Sequence, residues 1–256
     1  MTSNTAILSS VKVVIPARLA STRLPNKPLV EIAGRSMLEW VWRRAVESAV
    51  GEVVIATDSE QIMQLASGFG ADAALTQQTH LSGTDRCAEV ATQRGWSDDT
   101  LVINLQGDEP QIPTACLQQM AALISEYPEA VCSLYEPIVE REVFHDPAAV
   151  KVVCDQRERA LYFSRAPIPH DRDQTQDGTT AMLGRRHIGL YAYSVARLRA
   201  FTELPSSPYE QREKLEQLRL LEHGIPIQMA RCCAKVPAGI DTPADLARVR
   251  ASWPKG

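Results

Sequence analysis

The chain has 256 residues, of which 45% are hydrophobic and 23% are charged, and its net charge is -4. This composition is that of a globular domain and lacks the basic excess of a nucleic-acid-binding protein, so we expect no nucleic-acid partner. No apolar run approaches the ~20 residues of a membrane span, and the first residues lack a secretory pattern, so we expect a cytoplasmic protein without membrane insertion.

Short runs rich in Val and Ile alternate with amphipathic segments in the first half of the chain. The predicted strands are VKVVIPA, EVVIATD, DAALT and TLVINLQ, and a predicted helix follows each of them. Four such β–α units predict an α/β fold with a mostly parallel, Rossmann-like sheet and helices on both faces. A sheet of this kind binds its ligand at the carboxyl ends of its strands.

The second half is predicted to be richer in strands. The segments VCSLYEPI, AVKVVCD, RALYFSRAP and RRHIGLYAYS predict strands, and DRDQTQDGTTAMLG predicts a mobile polar loop before the last of them. Further on, YEQREKLEQLRLLEHG predicts one helix closed by Gly224, IPIQMA a strand, and TPADLARVRASW a terminal helix. We therefore expect one domain over residues 11–253, with a small β-rich elaboration at roughly 137–205.

The loop PARLASTRLPNKPL follows the first predicted strand and contains no glycine. Two prolines restrict its backbone, so the loop loses conformational freedom before any ligand binds. Arg18 and Arg23 can each contact phosphate oxygens in a bidentate way, and Lys27 provides a compact charge. A solvated basic loop is the alternative, but the position after the first strand of a parallel sheet favours a phosphate site.

Two acidic segments are candidates for a metal site. In LVINLQGDEP, Asp108 and Glu109 follow a strand, and Mg²⁺ typically takes one or two such carboxylates besides water and phosphate. An acidic turn closed by proline is the alternative. In GIDTPADL, Thr242 is predicted to cap the last helix, which leaves Asp241 available as a second ligand, although Asp241 could also only support the helix start.

Two further patterns concern a helix start and the cysteines. In HLSGTDR, Ser82 and Asp85 predict a capping box, and the same helix N-terminus with Arg86 is suited to an anion or a base edge. The six cysteines lack C-x-x-C spacing, so we interpret them as buried thiols rather than as a metal or disulfide set. The sequence has no P-loop, dinucleotide or serine-hydrolase motif.

A series of these motifs resembles the 3-deoxy-manno-octulosonate (Kdo) cytidylyltransferases in order and over nearly the whole chain. The segments are PARLASTRLPNKPL, HLSGTDR, INLQGDEP, YFSRAPIP, RHIGLYAY, LEQLRLLEHG and GIDTPADL. The resemblance implies a nucleotidyltransferase that moves CMP from CTP to the anomeric hydroxyl of Kdo, releases pyrophosphate and serves lipopolysaccharide synthesis. It also implies Mg²⁺ as the cofactor and a homodimer formed through residues 137–205.

The resemblance implies roles for individual residues. The nucleotide-binding set is Ala17, Arg18, Ser21, Lys27, Ser82, Gly83 and Arg86. The sugar-binding set is Gln106, Arg165, His187, Tyr191, Glu216 and Gln217. The metal ligands are Asp108 and Asp241, and the residues expected to support catalysis most directly are Lys27, Asp108 and Arg18. Asn26 and Leu81 depart from the family pattern, where glycine and a polar residue are frequent.

Alternative functions remain open at this point. The acceptor could be another acidic sugar, such as sialic acid or an 8-amino relative of Kdo. A non-catalytic nucleotide-binding protein could keep the same fold, but the joint presence of Lys27, Asp108 and Asp241 favours an enzyme. An NAD-dependent oxidoreductase is disfavoured because the glycine-rich fingerprint is absent.

Overall fold

Nine strands form one mixed sheet in the computed structural model, which describes residues 11–21, 23–172 and 182–253. The strands are β1 (Val11–Ala17), β2 (Glu31–Ile32), β3 (Arg35–Ser36), β4 (Glu52–Thr57), β5 (Asp72–Leu75), β6 (Leu101–Asn104), β7 (Val131–Ile138), β8 (Lys151–Cys154), β9 (Ala160–Ser164), β10 (Gly184–Ser194) and β11 (Ile227–Arg231). Strands β2 and β3 form a separate two-stranded hairpin.

The helices connect and cover these strands. They are α1 (Met37–Glu47), α2 (Glu60–Gly68), α3 (Gly83–Gln93), α4 (Thr114–Glu126), α5 (Arg141–His145), α6 (Val195–Glu203), α7 (Pro208–Glu213), α8 (Gln217–Glu222) and α9 (Pro243–Ser252), besides a 3₁₀ turn at Lys27–Leu29. Within residues 11–21, 23–172 and 182–253, no helix is both long and apolar enough to cross a membrane.

The main path of the sheet has the order β11-β7-β10-β6-β1-β4-β5. Strand β1 pairs in parallel with β4 and β6, and β4 pairs in parallel with β5. Strand β10 runs antiparallel to β6 and β7, and β7 is parallel to β11. Strands β8 and β9 extend from β10 as an antiparallel pair, which is the predicted β-rich elaboration. The predicted mostly parallel sheet is therefore confirmed.

Both faces of the sheet are covered by helices. Along β1, Val13 packs into the hydrophobic cluster with α1, α2 and α4, whereas the next residue, Val14, packs into the cluster with α3, α6 and α8. This alternation follows from the two-residue period of a strand. Since both faces of β1 are buried, its sequence is almost continuously apolar, as expected for a central strand of a parallel sheet.

The four predicted β–α units of the first half are present as β1–α1, β4–α2, β5–α3 and β6–α4. The two predicted helix caps are also confirmed. Ser82 and Asp85 form a capping box at α3, and Thr242 and Asp245 form one at α9, with Pro243 at its first turn. The predicted mobile loop falls mainly on residues 173–181, which lie outside the described residues, and the boundaries 11–253 stay a prediction.

One predicted helix is wrong in its extent. The segment YEQREKLEQLRLLEHG forms two short helices, α7 and α8, because Lys214 adopts a left-handed conformation with φ 55°. The carbonyl oxygen of Glu213 accepts a hydrogen bond of 2.8 Å from Arg165 Nε, and that of Lys214 accepts one of 3.4 Å from Arg165 Nη2. A tertiary partner therefore satisfies carbonyls that a longer helix would have paired internally.

Candidate active site

A cavity of about 290 Å³ opens where β1 and β6 end. Its lining residues are Pro16, Ala17, Arg18, Ala20, Ser21, Arg23, Lys27, Pro28, His80, Leu81, Ser82, Gly83, Arg86, Gln106, Gly107, Asp108 and Asp241. This is the ligand-binding edge expected for a parallel sheet. Every residue that the resemblance assigned to the nucleotide or the metal lines this cavity, and so does Gln106 of the predicted sugar-binding set.

Lys27 lies between two carboxylates that are far apart in sequence. Its Nζ is 2.6 Å from Oδ2 of Asp108 and 2.8 Å from Oδ1 of Asp241. Burial disfavours the charge of Lys27, but the two carboxylates outweigh this effect and raise its pKa. The ammonium is therefore charged at neutral pH and holds Asp108 and Asp241 close to one position.

The opening loop places Lys27 through its local backbone. Asn26 has φ 52°, in the left-handed region that glycine and asparagine tolerate best, and the 3₁₀ turn starts at the next residue. Pro28, the middle residue of this turn, is buried. Asn26 is thus compatible with a position at which the resemblance led us to expect glycine.

The carboxylate of Asp241 can face the cavity because it is not needed to cap the N-terminus of α9. Thr242 and Asp245 cap the helix, and the carboxylate of Asp241 instead contacts Lys27 and Nη2 of Arg23, the latter at 3.1 Å. The backbone N–H of Ile240 donates to the carbonyl of Asp108 at 3.1 Å, which fixes the two acidic segments to each other.

A small hydrophobic cluster joins the loop that contains Lys27 to helix α9. It consists of Leu24, Ile32, Met37, Ile240, Leu246 and Val249, with Val30, Trp40 and Trp253 packed against it. The rings of Trp40 and Trp253 lie 4.9 Å apart, which is within the range of favourable aromatic contacts. Both sides of the Lys27–Asp241 ion pair therefore rest on one packed unit, which we call the loop–helix cluster.

The N-terminus of α3 forms the opposite wall of the cavity. A Cβ on Gly83 would lie 3.0 Å from Pro16 Cγ and 3.8 Å from Gln106 Oε1, so glycine permits the close contact of this wall with β1. Arg86 is buried, and its guanidinium donates to Asp58 Oδ2 at 2.6 Å and to Thr76 Oγ1 at 2.7 Å. These contacts fix Arg86 at the cavity wall.

His80 is a cavity residue that sequence reasoning missed. Its Nε2 lies 2.5 Å from Oε2 of Glu89, a residue of α3, so a carboxylate orients the ring. The sequence could have indicated His80 as a cavity residue, because it lies two residues before Ser82 in the loop that joins β5 to α3. Glu109, which the sequence suggests as a metal ligand beside Asp108, does not line the cavity among the described residues.

Glu109 is half-buried and lies next to Gly239, where a Cβ would be 3.0 Å from its Oε1. Burial, supported by the nearby charge of Asp108, raises its pKa to about 8. The two adjacent carboxylates therefore differ in environment. Asp108 is 34% exposed and paired with Lys27, and it is the member of the pair that faces the cavity.

Most of the predicted sugar-binding residues lie beside the cavity rather than in its lining. Tyr191 of β10 pairs in register with Asn104 of β6, and Asn104 accepts a hydrogen bond of 3.1 Å from Gln106 Nε2. Two buried oxygen atoms in this region, Tyr191 Oη and Glu216 Oε1, have no hydrogen-bond partner within the described part of the chain. Buried polar atoms of this kind are satisfied in most proteins, so they suggest a site for a polar ligand.

Glu216 connects this region to the cavity. Burial raises the pKa of its carboxyl, while the neighbouring hydroxyls of Thr84 and Ser82 lower it, and Ser82 lines the cavity. Gln217 is buried at the start of α8, next to Glu216. Glu216 and Gln217 of the predicted sugar-binding set therefore lie next to the cavity wall that Ser82 forms.

Arg165 is in a different environment from the one expected for a ligand-binding arginine. Besides the carbonyls of Glu213 and Lys214, its guanidinium donates to the carbonyl of Pro147 at 3.0 Å. It does not line the cavity among the described residues. A role for Arg165 in binding a sugar carboxylate stays a prediction.

His187 is half-buried between the rings of Phe163 and Tyr191, and its Nε2 lies 3.0 Å from the hydroxyl of Ser133. Burial, with a contribution from the charge of Arg186, lowers its pKa to about 3 from the ordinary 6.5. The unfolded chain therefore takes up a proton on His187 as the pH falls below about 6.5, and the folded chain does not until about pH 3.

We therefore expect His187 to reduce stability as the pH falls from about 6.5 toward 3. Between pH 7 and pH 5 this linkage amounts to about 2 kcal/mol of unfolding free energy. Urea unfolding at the two pH values should show a smaller drop for His187→Asn than for the unsubstituted chain. Equal drops would mean that His187 is accessible to protons in the folded state.

Comparison with known proteins agrees with this geometry. The family model described as cytidylyltransferase matches residues 12–228. The 3-deoxy-manno-octulosonate cytidylyltransferase of Saccharophagus degradans is 50% identical over 93% of this chain and 96% of its own length. The enzyme of the same name from Methylococcus capsulatus is 47% identical over 93% and 95%, respectively.

A solved structure titled CMP:2-keto-3-deoxy-manno-octonic acid synthetase complexed with CTP superposes with a TM-score of 0.86. It is 41% identical, and the match covers 95% of this chain and 98% of that one. A structure described as a putative glucose-1-phosphate thymidylyltransferase from Bacillus anthracis, 15% identical with a TM-score of 0.63, shares the fold alone and covers 94% of each chain. The chain therefore belongs to the 3-deoxy-manno-octulosonate cytidylyltransferase family.

Proposed function

We propose that the chain transfers CMP from CTP to the anomeric hydroxyl of Kdo and releases pyrophosphate. The main supporting observation is that Lys27 meets Asp108 and Asp241 in a cavity that Arg18 and Arg23 also line. Several cations beside two carboxylates suit a triphosphate bound together with a divalent metal ion. Family membership supports CTP as the nucleotide and Kdo as the acceptor.

We also propose Mg²⁺ as the cofactor, held by Asp108 and Asp241. The donor set fits, because both carboxylates already converge on one cation, the ammonium of Lys27, at 2.6 and 2.8 Å. In the described part of the chain, no group of three or more His, Cys, Asp or Glu residues could hold a metal ion. Two carboxylates are sufficient for Mg²⁺, which obtains its other ligands from water and phosphate and, when bound, stabilises phosphate charge.

The residues of the chain position the reactants and balance their charge. Arg18 and Arg23 at the loop can each form bidentate hydrogen bonds with phosphate oxygens, and Lys27 supplies a compact ammonium that is charged at neutral pH. Attack of the anomeric hydroxyl at the α-phosphorus expels pyrophosphate in line, a reaction that depends mostly on orientation and charge stabilisation. These groups therefore supply the main requirements of the transfer.

The acceptor site is supported by the unpartnered oxygens of Tyr191 and Glu216 beside Ser82. Sugar hydroxyls would satisfy both atoms, whereas an analogue without the matching hydroxyl would leave them unpaired. Because its pKa is about 3, His187 is a weak base at neutral pH, and we assign it to positioning. For Arg165 to bind a sugar carboxylate, its guanidinium must release carbonyl partners.

We propose, from family membership, a cytoplasmic homodimer formed through residues 137–205. In the described chain, β9 pairs along its length with β8 alone, and Leu161 on β9 is 61% exposed. Proteins usually protect an exposed strand edge from pairing with other chains, and a second copy of this chain packed against β9 would cover the edge. Light scattering should therefore give about twice the chain mass of 28.2 kDa, and a monomeric mass would contradict this proposal.

The function is tested by measuring pyrophosphate release with Kdo, its 8-amino relative and sialic acid, with CTP and UTP in parallel. We expect magnesium-dependent release with CTP and Kdo, and little or none with sialic acid, because a hydrogen-bonding pocket discriminates sharply among hydroxyl patterns. Release with sialic acid but not with Kdo would overturn the acceptor, and release with none of the sugars would favour a non-catalytic nucleotide-binding protein.

A further inference from the structure

Three thiols outside the candidate active site meet where α4 packs beside the end of β11. Cys116 lies in the first turn of α4, and Cys232 and Cys233 directly follow β11. Cys116 Sγ lies 3.9 Å from the carbonyl oxygen of Ala234, the residue after Cys233, and the thiols of Cys232 and Cys233 are near enough to Cys116 to shift its pKa. Residues more than 100 positions apart in sequence therefore form one thiol cluster.

Gln119 holds the two segments of the thiol cluster together. It lies three residues after Cys116, on the same side of the helix. Its Nε2 donates to the carbonyl of Arg231 at 2.7 Å, and its Oε1 accepts from the backbone N–H of Cys233 at 2.9 Å. The backbone on both sides of Cys232 is thus fixed to α4, and the close approach of the thiols is part of the folded structure.

The three thiols differ in exposure in a way that suits oxidation in two steps. The expectation of buried thiols is wrong for Cys233, which is exposed, whereas Cys232 is half-buried and Cys116 is fully buried. Hydrogen bonds from Cys232, and more weakly from Cys233, lower the pKa of the Cys116 thiol against the effect of burial. Burial and the neighbouring Cys116 raise the pKa of Cys233, so exposure rather than acidity makes Cys233 the thiol that an oxidant reaches first, and Cys116 is a nucleophile beside it.

A soft-metal site is less consistent with the geometry. In the described residues, no set of three His, Cys, Asp or Glu side chains is arranged to hold a metal ion, and the thiol cluster is no exception. A disulfide needs only two sulfur atoms in contact. The observations therefore favour thiol oxidation.

We propose that Cys116 forms a reversible disulfide with the Cys232–Cys233 pair when the protein meets a low-molecular-weight disulfide. The thiolate of Cys233 attacks the S–S bond of the oxidant, forms a mixed disulfide and releases one thiolate. The thiolate of Cys116 then attacks Sγ of Cys233, directly or after exchange through Cys232, and releases the second thiolate. Two protein thiols lose two protons and two electrons, and the oxidant is reduced to two thiols.

The position of the thiol cluster suggests an effect on the active site. The segment after Cys233 leads within eight residues to Asp241, and the backbone N–H of Val236 on the way donates to Glu136 Oε2 at 3.2 Å. A disulfide bond is shorter than a contact between two thiols, so its formation pulls this segment toward α4. A displacement of about 1 Å at a catalytic group can reduce a rate by up to a hundredfold.

The test uses the full chain, first reduced and then incubated with glutathione disulfide. After blocking of free thiols and digestion with trypsin, Cys232 and Cys233 are released together in the peptide CCAK. We expect mass spectrometry to find this peptide joined to the peptide with Cys116, and dithiothreitol to reverse the link. A mixed disulfide alone, or a bond between Cys232 and Cys233 alone, would overturn the proposal.

Variants separate the disulfide from its effect. The double variant Cys232→Ser/Cys233→Ser and, independently, Cys116→Ala should lose the link, whereas Cys154→Ser, which removes a partly exposed thiol elsewhere, should keep it. The effect on turnover rests on the proposed function, but the peptide map does not and decides the disulfide even in an inactive protein. With the link formed, turnover should fall about tenfold and recover on reduction; unchanged turnover would overturn the coupling to the active site.

Discussion

Asp108→Asn and Asp241→Asn should each fold normally and lose turnover by about a hundredfold or more, the effect typical of removing a charge that supports the transition state. Both carboxylates face the cavity and contact Lys27. Asparagine keeps the shape of the side chain but removes the negative charge that Lys27 and a metal ion require. Pyrophosphate release at saturating CTP and magnesium measures the loss, and thermal unfolding verifies the fold.

Asp72→Asn is the matched control for these two variants. Asp72 is 45% exposed, pairs with Arg94 at 2.6 Å and does not line the cavity. A surface pair of this kind contributes little to stability, so turnover should stay near that of the unsubstituted chain. Near-normal activity of Asp108→Asn or Asp241→Asn at saturating magnesium would show that the residue in question is not a ligand.

Lys27→Ala should lower kcat by about a hundredfold and raise the KM for CTP much less. A positive charge beside the reacting phosphate stabilises the transition state more than the bound substrate, because negative charge develops there during the reaction. Loss of the Lys27 charge therefore slows the chemical step. Lys27 is the cation that the structure places closest to both acidic residues, and only 12% of its side chain is exposed. Steady-state kinetics with varied CTP separates the two constants.

Arg23→Ala is the control for Lys27→Ala. Arg23 also contacts Asp241, but its side chain is 63% exposed and it contacts only one of the two carboxylates. We expect a smaller loss, mainly in KM, because an exposed arginine contributes chiefly to binding of the substrate phosphates. If Lys27→Ala instead kept its kcat and raised only the KM for CTP, Lys27 would be a binding residue.

Much of the fold follows from local patterns in the sequence. The apolar runs of β1, β4 and β6 are nearly continuous because these strands are buried on both faces, and this pattern predicts a parallel sheet. Ser82 and Thr242 could be recognised as helix caps because capping depends on residues only three positions apart. The order of β–α units then placed the opening loop and Asp108 at the same edge of the sheet.

Features that depend on tertiary contacts could not be predicted in this way. No local pattern shows that Lys27 pairs with both Asp108 and Asp241, or that Arg86 is buried against Asp58. The break between α7 and α8 depends on Arg165, about 50 residues away, which binds the freed carbonyls. The same distance limit explains why no local pattern brings Cys116 together with Cys232 and Cys233 in the thiol cluster.

The loop–helix cluster has a consequence for the order of folding. It joins Leu24, near the start of the chain, to Leu246, near the end, and Lys27 and Asp241 are separated by 214 positions. Contacts between such distant residues close a very long loop, so they form late and depend on the sheet that brings them together. During synthesis, a ribosome-bound chain can assemble the β1–β6 half of the sheet well before it has both acidic groups. The ability to engage a nucleotide productively therefore arises only after Asp241 and helix α9 have been synthesised, and shorter nascent chains lack the second carboxylate of the site.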